Sequence, residues 1–218
     1  MPFIGVQPAT VPLTSSDITD GIISTAKIAD DAVTGAKIEN NPTIAGDLVV
    51  SGTSTVAGLS DITIQADIWR TTANFTMTSG VNTMTNWERA DTNDDGVPQG
   101  TGMSHSSGIF SFAQTGVYLI QMTLSFQIGS SSSTYSGGYI SVTTDDSNYN
   151  GSSYSYQSNQ HGGTGSYYMM MTQTIFDVQN ISTHKVKTFY ENAVTNGTLM
   201  GSTNNNVSSI YFLRIGNT

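Results

Sequence analysis

The stretch Gly108-Ile109-Phe110-Ser111-Phe112-Ala113-Gln114-Thr115-Gly116-Val117-Tyr118-Leu119-Ile120-Gln121-Met122-Thr123-Leu124-Ser125-Phe126 decides the fold class. Phe110 and Phe112 occupy alternate positions, which sets both rings on one face of a strand. Gln114-Thr115-Gly116 reads as a turn, and Val117 to Phe126 as a second, longer strand rich in β-branched and aromatic residues. Further strands are expected over 138–143, 167–176, 185–190 and 208–215. Asn150-Gly151 and Asn196-Gly197 are dipeptides that tolerate the positive φ of two-residue hairpin turns, and Asp95-Gly96 with Pro98 marks another turn. About eight to ten short strands in one domain fit a jelly roll or a related sandwich.

Composition agrees. Among 218 residues there are 28 serines, 31 threonines, 16 asparagines and 22 glycines, a mixture poor in helix formers. Seven basic residues against sixteen acidic ones give a net charge of −9, which argues against a nucleic-acid partner because phosphate binding needs a basic face. With no cysteine, neither a disulfide framework nor a thiolate zinc site can form. No apolar run reaches the length of a membrane span, so no membrane insertion is expected. The opening Met1 to Val6 lacks the basic and apolar regions of a secretory signal.

The character of the chain changes near residue 66. Before it, Phe3 is the only aromatic residue and Lys27 and Lys37 are the only cations; after it come both tryptophans and all ten tyrosines. A globular head is therefore expected over 67–218, where aromatic side chains supply the core. In the appendage, Asp20-Gly21-Ile22-Ile23-Ser24-Thr25-Ala26-Lys27-Ile28 aligns with Asp30-Asp31-Ala32-Val33-Thr34-Gly35-Ala36-Lys37-Ile38, ten residues on. Ile18, Ile23, Ile28, Val33 and Ile38 recur at a spacing of five, which matches neither a helix face nor strand alternation. Such units bury their apolar residues only against neighbours, here copies of the same chain. A disordered acidic linker is the other reading of this composition. Beyond Asn41-Pro42, the stretch Thr43 to Val56 reads as short strands with glycine turns, a β-type shaft.

Two resemblances add to this reading. Gly108-x-Phe110-x-Phe112-x-x-x-Gly116-x-Tyr118, with the closing run Ile210-Tyr211-Phe212-Leu213-Arg214-Ile215-Gly216, resembles the complement globular-head and tumour-necrosis-factor superfamily of trimeric jelly rolls, over about residues 70–218. The chain departs from animal members in lacking cysteines and a collagen stalk. Ile18-Thr19-Asp20-Gly21-Ile22-Ile23 through Ala36-Lys37-Ile38, with Gly46-Asp47-Leu48-Val49-Val50, resembles fibre and appendage proteins of tailed bacteriophages, particularly marine ones. That resemblance implies a homotrimer on the virion surface: residues 1–16 attach to another virion protein, 17–66 form a trimeric stalk, and 67–218 form the head. It also implies host-surface adhesion to a receptor or glycan, or alternatively a capsid decoration or head-fibre role. Tyr118, Tyr190 and Phe212 are candidates to meet around the threefold axis, with ordinary core packing as the equal alternative.

Seven of the ten tyrosines lie between Gly129 and Tyr168, among serine, glycine and asparagine. This is the composition of recognition loops, because a phenol combines broad contact with one hydroxyl at low entropic cost. Tyr135, Tyr139, Tyr149, Tyr154 and Tyr156 are the candidate ligand-binding residues. Packing of some of these rings within strands is the competing reading. Asp91-Thr92-Asn93-Asp94-Asp95-Gly96 matches the first half of a calcium loop, making Asp91, Asn93 and Asp95 candidate ligands, but Gly102 stands where the loop needs its bidentate glutamate. An acidic turn without metal fits better, and no other cofactor is expected. His105, His161 and His184 form no recognisable site, and no carboxylate pair for glycoside hydrolysis stands out around Trp87-Glu88-Arg89. An enzyme is not expected.

Overall fold

The computed structural model describes residues 19, 24, 28, 64–91, 98–129, 135–158, 165–193 and 197–218. The chain divides into two units, Met1–Ser54 and Thr55–Thr218, and every described strand belongs to the second. In chain order these are β1 (Ala66–Thr71), β2 (Ala73–Thr76), β3 (Gly80–Thr83), β4 (Trp87–Arg89), β5 (Ser104–Ser106), β6 (Ile109–Ser111), β7 (Gly116–Gln127), β8 (Tyr135–Thr143), β9 (Asn150–Ser158), β10 (Tyr167–Val178), β11 (Lys185–Asn192), β12 (Thr198–Ser202) and β13 (Ser209–Gly216). They form two antiparallel sheets. The seven-stranded sheet runs β2-β12-β7-β13-β1-β4, with β10 on the other side of β7. The six-stranded sheet runs β5-β6-β11-β8-β9, with β3 also paired to β11.

β7 organises the core. Its residues alternate strictly between buried and half-buried, so Tyr118, Ile120, Met122, Leu124 and Phe126 all point between the sheets. They meet Trp69, Trp87, Phe110, Phe112, Phe176 and Phe212 in one hydrophobic cluster. Phe110 sits at its centre, with ring centroids 5.6 Å from Trp69, 6.0 Å from Trp87 and 5.0 Å from Phe212. Burying each such side chain is worth about 1.5–3 kcal/mol, which is what binds the two sheets into one head.

The strands expected from sequence are present, but the run at Phe110 and Phe112 is preceded by five others, β1 to β5. β5 and β6 form a tight hairpin through Ser107 (φ 52°) and Gly108 (φ 82°). Positive φ at both central residues is the turn whose twist matches the strands, and it places a glycine where a side chain would be strained. Asn150-Gly151 does not turn the chain; it opens β9, and the connection from β8 lies at 144–149. There Asp145 ties the loop by accepting from the Asn148 amide (2.7 Å), the Ser147 amide (2.9 Å) and the Thr143 hydroxyl (2.8 Å). The Asn148 bonds, backbone first, hold the Asp145 carboxyl well below the usual carboxylate range.

Asp67 and Arg70 are charged side chains buried at the edge of the core, and Asp67 gathers the most contacts. Asp67, 4% exposed, accepts from Arg89 Nε (3.1 Å), Arg89 Nη2 (3.1 Å), the Trp69 indole (3.0 Å) and the Met103 amide (2.7 Å). Arg89 also donates to the Met103 carbonyl, and its guanidinium lies 4.9 Å from the Trp69 ring centroid. Two elements distant in sequence, β1 and β4 with the chain beyond it, are joined by this one carboxylate.

His105, on β5, packs against Phe110 (4.6 Å) and Trp69 (5.7 Å), and its Nε2 is buried without a hydrogen-bond partner. Burial disfavours the imidazolium and lowers its pKa below 6.5. The unfolded chain then holds its proton more tightly than the folded one. The stability contributed is present above pH 6.5 and is lost as pH falls from that value through the folded pKa. The melting temperature is therefore expected to drop between pH 7 and pH 5. A thermal melt of His105→Phe at the same two pH values is expected to show a smaller drop; an equal drop would place the acid sensitivity elsewhere.

Candidate ligand-binding and self-association faces

The tyrosines singled out from sequence lie on strands, not in loops, and the register explains how they come together. Tyr135 and Tyr139 are on β8, Tyr154 and Tyr156 on β9, and Tyr149 immediately precedes β9. Phe189 on β11 pairs with Tyr139, which pairs with Tyr154, so three aromatic residues stand in one row across three strands. Their rings stack: Phe189 to Tyr139 at 4.7 Å and 12°, Tyr139 to Tyr154 at 4.6 Å and 26°.

The next row is Glu191, Gly137 and Tyr156. A Cβ on Gly137 would come within 2.4 Å of both Tyr156 Cδ1 and the Ser155 carbonyl, so the missing side chain is what lets the Tyr156 ring lie towards β11. Its hydroxyl donates to Glu191 Oε2 at 2.7 Å, and the Tyr135 hydroxyl donates to Oε1 at 2.9 Å. The Tyr135 and Tyr156 rings stand nearly perpendicular, at 84° with centroids 5.7 Å apart. Together with Glu191 they line a shallow depression of about 270 Å³. Burial, then the Glu191 bond and charge, push the Tyr156 phenol far above its usual value; for Tyr135 the bond to Glu191 is the first cause. Tyr154 and Tyr156 are 53% and 46% exposed, large aromatic areas left open on the outer face of the six-stranded sheet. Tyr149 stands apart from this corner, with Lys187 Nζ 3.8 Å from its ring centroid. Sequence reasoning missed Glu191 and Phe189; their signal was alternation along 185–192, which places both on one face with Lys187.

The outer face of the other sheet has a different chemistry. Ile175, Leu119, Leu213 and Ala66 form a row across β10, β7, β13 and β1; Gln173, Gln121, Tyr211 and Ile68 form the next. Met171 pairs with Thr123, Met169 with Ser125 and Tyr167 with Gln127. None of these positions is charged. Met169, Met171 and Ile175 are 64%, 54% and 66% exposed. Contiguous apolar surface of this kind on a soluble domain marks an interaction site.

Tyr118, Tyr190 and Phe212 are not on that face. They are 2%, 7% and 1% exposed and belong to the core of a single chain, which corrects their assignment to a threefold contact. Tyr118 packs on Phe112 and donates to the Gln114 carbonyl at 3.0 Å; Phe212 packs on Phe110. On an alternating strand the neighbouring positions, Leu119, Tyr211 and Leu213, are the ones that face outward. In the first unit Ile28 is 42% exposed, while Ile18, Ile23, Val33 and Ile38 lie outside the described residues.

Of the candidate calcium ligands, Asn93 and Asp95 lie outside the described residues. Asp91 accepts from Arg70 Nη2 at 3.3 Å, and Glu88 from Arg70 Nε at 3.0 Å, so the first carboxylate of the motif faces a guanidinium. Among the described residues no group of three metal-ligating side chains comes together. His184 is buried and stacked on Phe176 at 5.5 Å; His161 lies outside the described residues.

Two antiparallel sheets in this order, packed face to face, make a jelly roll, and comparison with solved structures places it more closely. The chain is similar to murine APRIL at pH 8.5, with 12% identity and a TM-score of 0.50 over 70% of this chain and 99% of that one. Murine APRIL at pH 5.0 gives 11% identity and 0.50 over the same shares. The Eiger TNF from S. frugiperda gives 13% identity and 0.49, covering 71% of this chain and 94% of that one. The head is thus a jelly roll of the tumour-necrosis-factor type, as the resemblance of its core strands implied. No family model matches the chain, and no curated protein matches it.

Proposed function

We propose that the chain is a non-catalytic structural fibre or spike protein of a bacteriophage virion, a homotrimer whose head meets the host surface. The observation that carries the assembly is the division of labour between the two outer faces. The face of β10, β7, β13 and β1, which exposes Met169, Met171 and Ile175 and carries Asp177 only at its end, supplies apolar surface for contact between copies. The face of β11, β8 and β9, bearing Lys185, Lys187, Glu191 and the tyrosine rows, is left to meet a receptor or glycan. Three copies of a weak site multiply its effect through avidity, which suits adhesion. The virion setting, attachment of residues 1–16 to another virion protein and the trimeric stalk over 17–66 rest on the N-terminal resemblance.

Tyr154 and Tyr156 stand about half exposed and not buried between the sheets, which supports adhesion over the capsid decoration alternative. Adsorption decides between them: excess purified protein is expected to slow adsorption of the phage that carries it, and an unchanged rate would favour decoration. The stalk has its own test. Ile28→Asp with Ile38→Asp is expected to speed proteolysis of the N-terminal part while the head stays intact; unchanged cleavage would make the repeats a linker.

A further inference from the structure

The corner made by Tyr135, Tyr156 and Glu191 has a chemistry narrower than general stickiness. A carboxylate offers about four lone-pair directions, and the two phenols occupy one on each oxygen. What remains at the depression is acceptor capacity: the rest of the Glu191 lone pairs and the Tyr156 oxygen, which has already spent its proton. The walls are two nearly perpendicular aromatic rings, with the half-exposed Tyr154 ring 6.4 Å from Tyr156 and within 19° of its plane. Aromatic faces attract cations through their negative quadrupole. The cations of the same strand, Lys185 and Lys187, are six and four residues from Glu191; Lys185 donates to the Ile181 carbonyl and Lys187 lies over Tyr149, so neither neutralises the corner. The chain as a whole carries a charge of −9.

Acceptors, a fixed carboxylate and perpendicular aromatic walls select against anions. They accept from the hydroxyls of a neutral sugar as well, but a cation is held more strongly because the carboxylate charge and the aromatic faces act on it together. We propose that this corner binds a cationic amine displayed on a surface polymer, either the primary ammonium of an amino sugar or a quaternary ammonium headgroup. The inference rests on the adhesion reading and names its ligand chemistry. Gly137 belongs to the site as the position that lets Tyr156 reach Glu191, which gives a physical reason for a glycine in the middle of β8.

The test is isothermal titration of the full chain with chitosan tetrasaccharide, its N-acetylated counterpart and choline chloride. The two tetrasaccharides share a backbone and differ in the charge of the amine. Binding of chitosan tetrasaccharide or choline, weakened about tenfold by Glu191→Gln and by Tyr156→Leu with unchanged circular dichroism, is the expected result. Which of the two binds distinguishes the amino-sugar source from the quaternary one. Equal binding of the N-acetylated tetrasaccharide overturns the proposal in favour of a neutral sugar site. Binding that both variants leave intact overturns it by placing the ligand elsewhere. Binding of neither cation also overturns it. In that case, labelled protein that still adheres to host cells leaves adhesion standing through another surface, whereas protein that adheres to nothing removes the adhesion reading as well.

Discussion

Asp67→Ala is expected to destabilise the head by about 3–5 kcal/mol, because the half-buried Arg89 guanidinium and two buried N–H donors lose their shared acceptor. The substitution strips Arg89 of its carboxylate and leaves the Trp69 indole and the Met103 amide without an acceptor. Against a total stability of about 5–15 kcal/mol for a domain, this is enough to leave a measurable unfolded fraction. Urea denaturation followed by tryptophan fluorescence is suited to it, since Trp69 and Trp87 are both buried in the same cluster. The midpoint is expected to fall by about 1 M or more. Asp177→Asn is the control: Asp177 is exposed and accepts only from the exposed Gln179 side chain at 2.9 Å, and its loss is expected to cost much less. A midpoint shift no larger for Asp67→Ala than for Asp177→Asn would mean that the Asp67 cluster contributes no more than a surface contact.

Met171→Asp with Ile175→Asp is expected to convert the assembled protein to monomers without unfolding it. Both side chains are more than half exposed in the single chain, 54% and 66%, so aspartate there costs the isolated head little. In the proposed trimer the same positions would be buried against another copy, where each substitution would lose about 1.5–3 kcal/mol of apolar burial and leave a carboxylate without a partner. With 1.4 kcal/mol per tenfold, the combined loss weakens association by several orders of magnitude. Light scattering is expected to report the mass of one chain, 23.1 kDa, with the native circular dichroism spectrum. An assembled double variant would place the contact between copies on another face.

The long strands were legible because burial writes alternation into them. β7, β10 and β11 each carry buried residues at every second position over most of their length, and on β7 and β11 that period of two survives in sequence as a pattern. β2 and β3, Ala-Asn-Phe-Thr and Gly-Val-Asn-Thr, carry no such pattern. They are strands because β12 and β11 offer them backbone partners, a tertiary reason that no local window contains. The same limit explains the core tyrosine and phenylalanine first assigned to a threefold contact. Both faces of β13 are apolar, with Ile210 and Phe212 on one and Tyr211, Leu213 and Ile215 on the other, so alternation there separates the two sets without saying which lies inside.

The candidate site divides in a similar way. Tyrosine enrichment located β8 and β9, but the residue that gives the site its charge, Glu191, comes from β11, more than thirty residues further along. Only the register that sets Glu191 opposite Gly137, and Gly137 opposite Tyr156, brings them together. Asn150-Gly151 was misleading for a local reason. A dipeptide suited to a hairpin turn is equally tolerated inside an edge strand, and the turn was supplied instead by the Asp145 side chain.

The most direct test of the account is the solution mass of the unmodified full chain, measured by light scattering over a hundredfold range of concentration. A constant mass near three times 23.1 kDa is the predicted result, and it would support the homotrimeric fibre reading. A mass of 23.1 kDa throughout would contradict the account, leaving a monomeric jelly roll with an exposed apolar face and no assembled fibre.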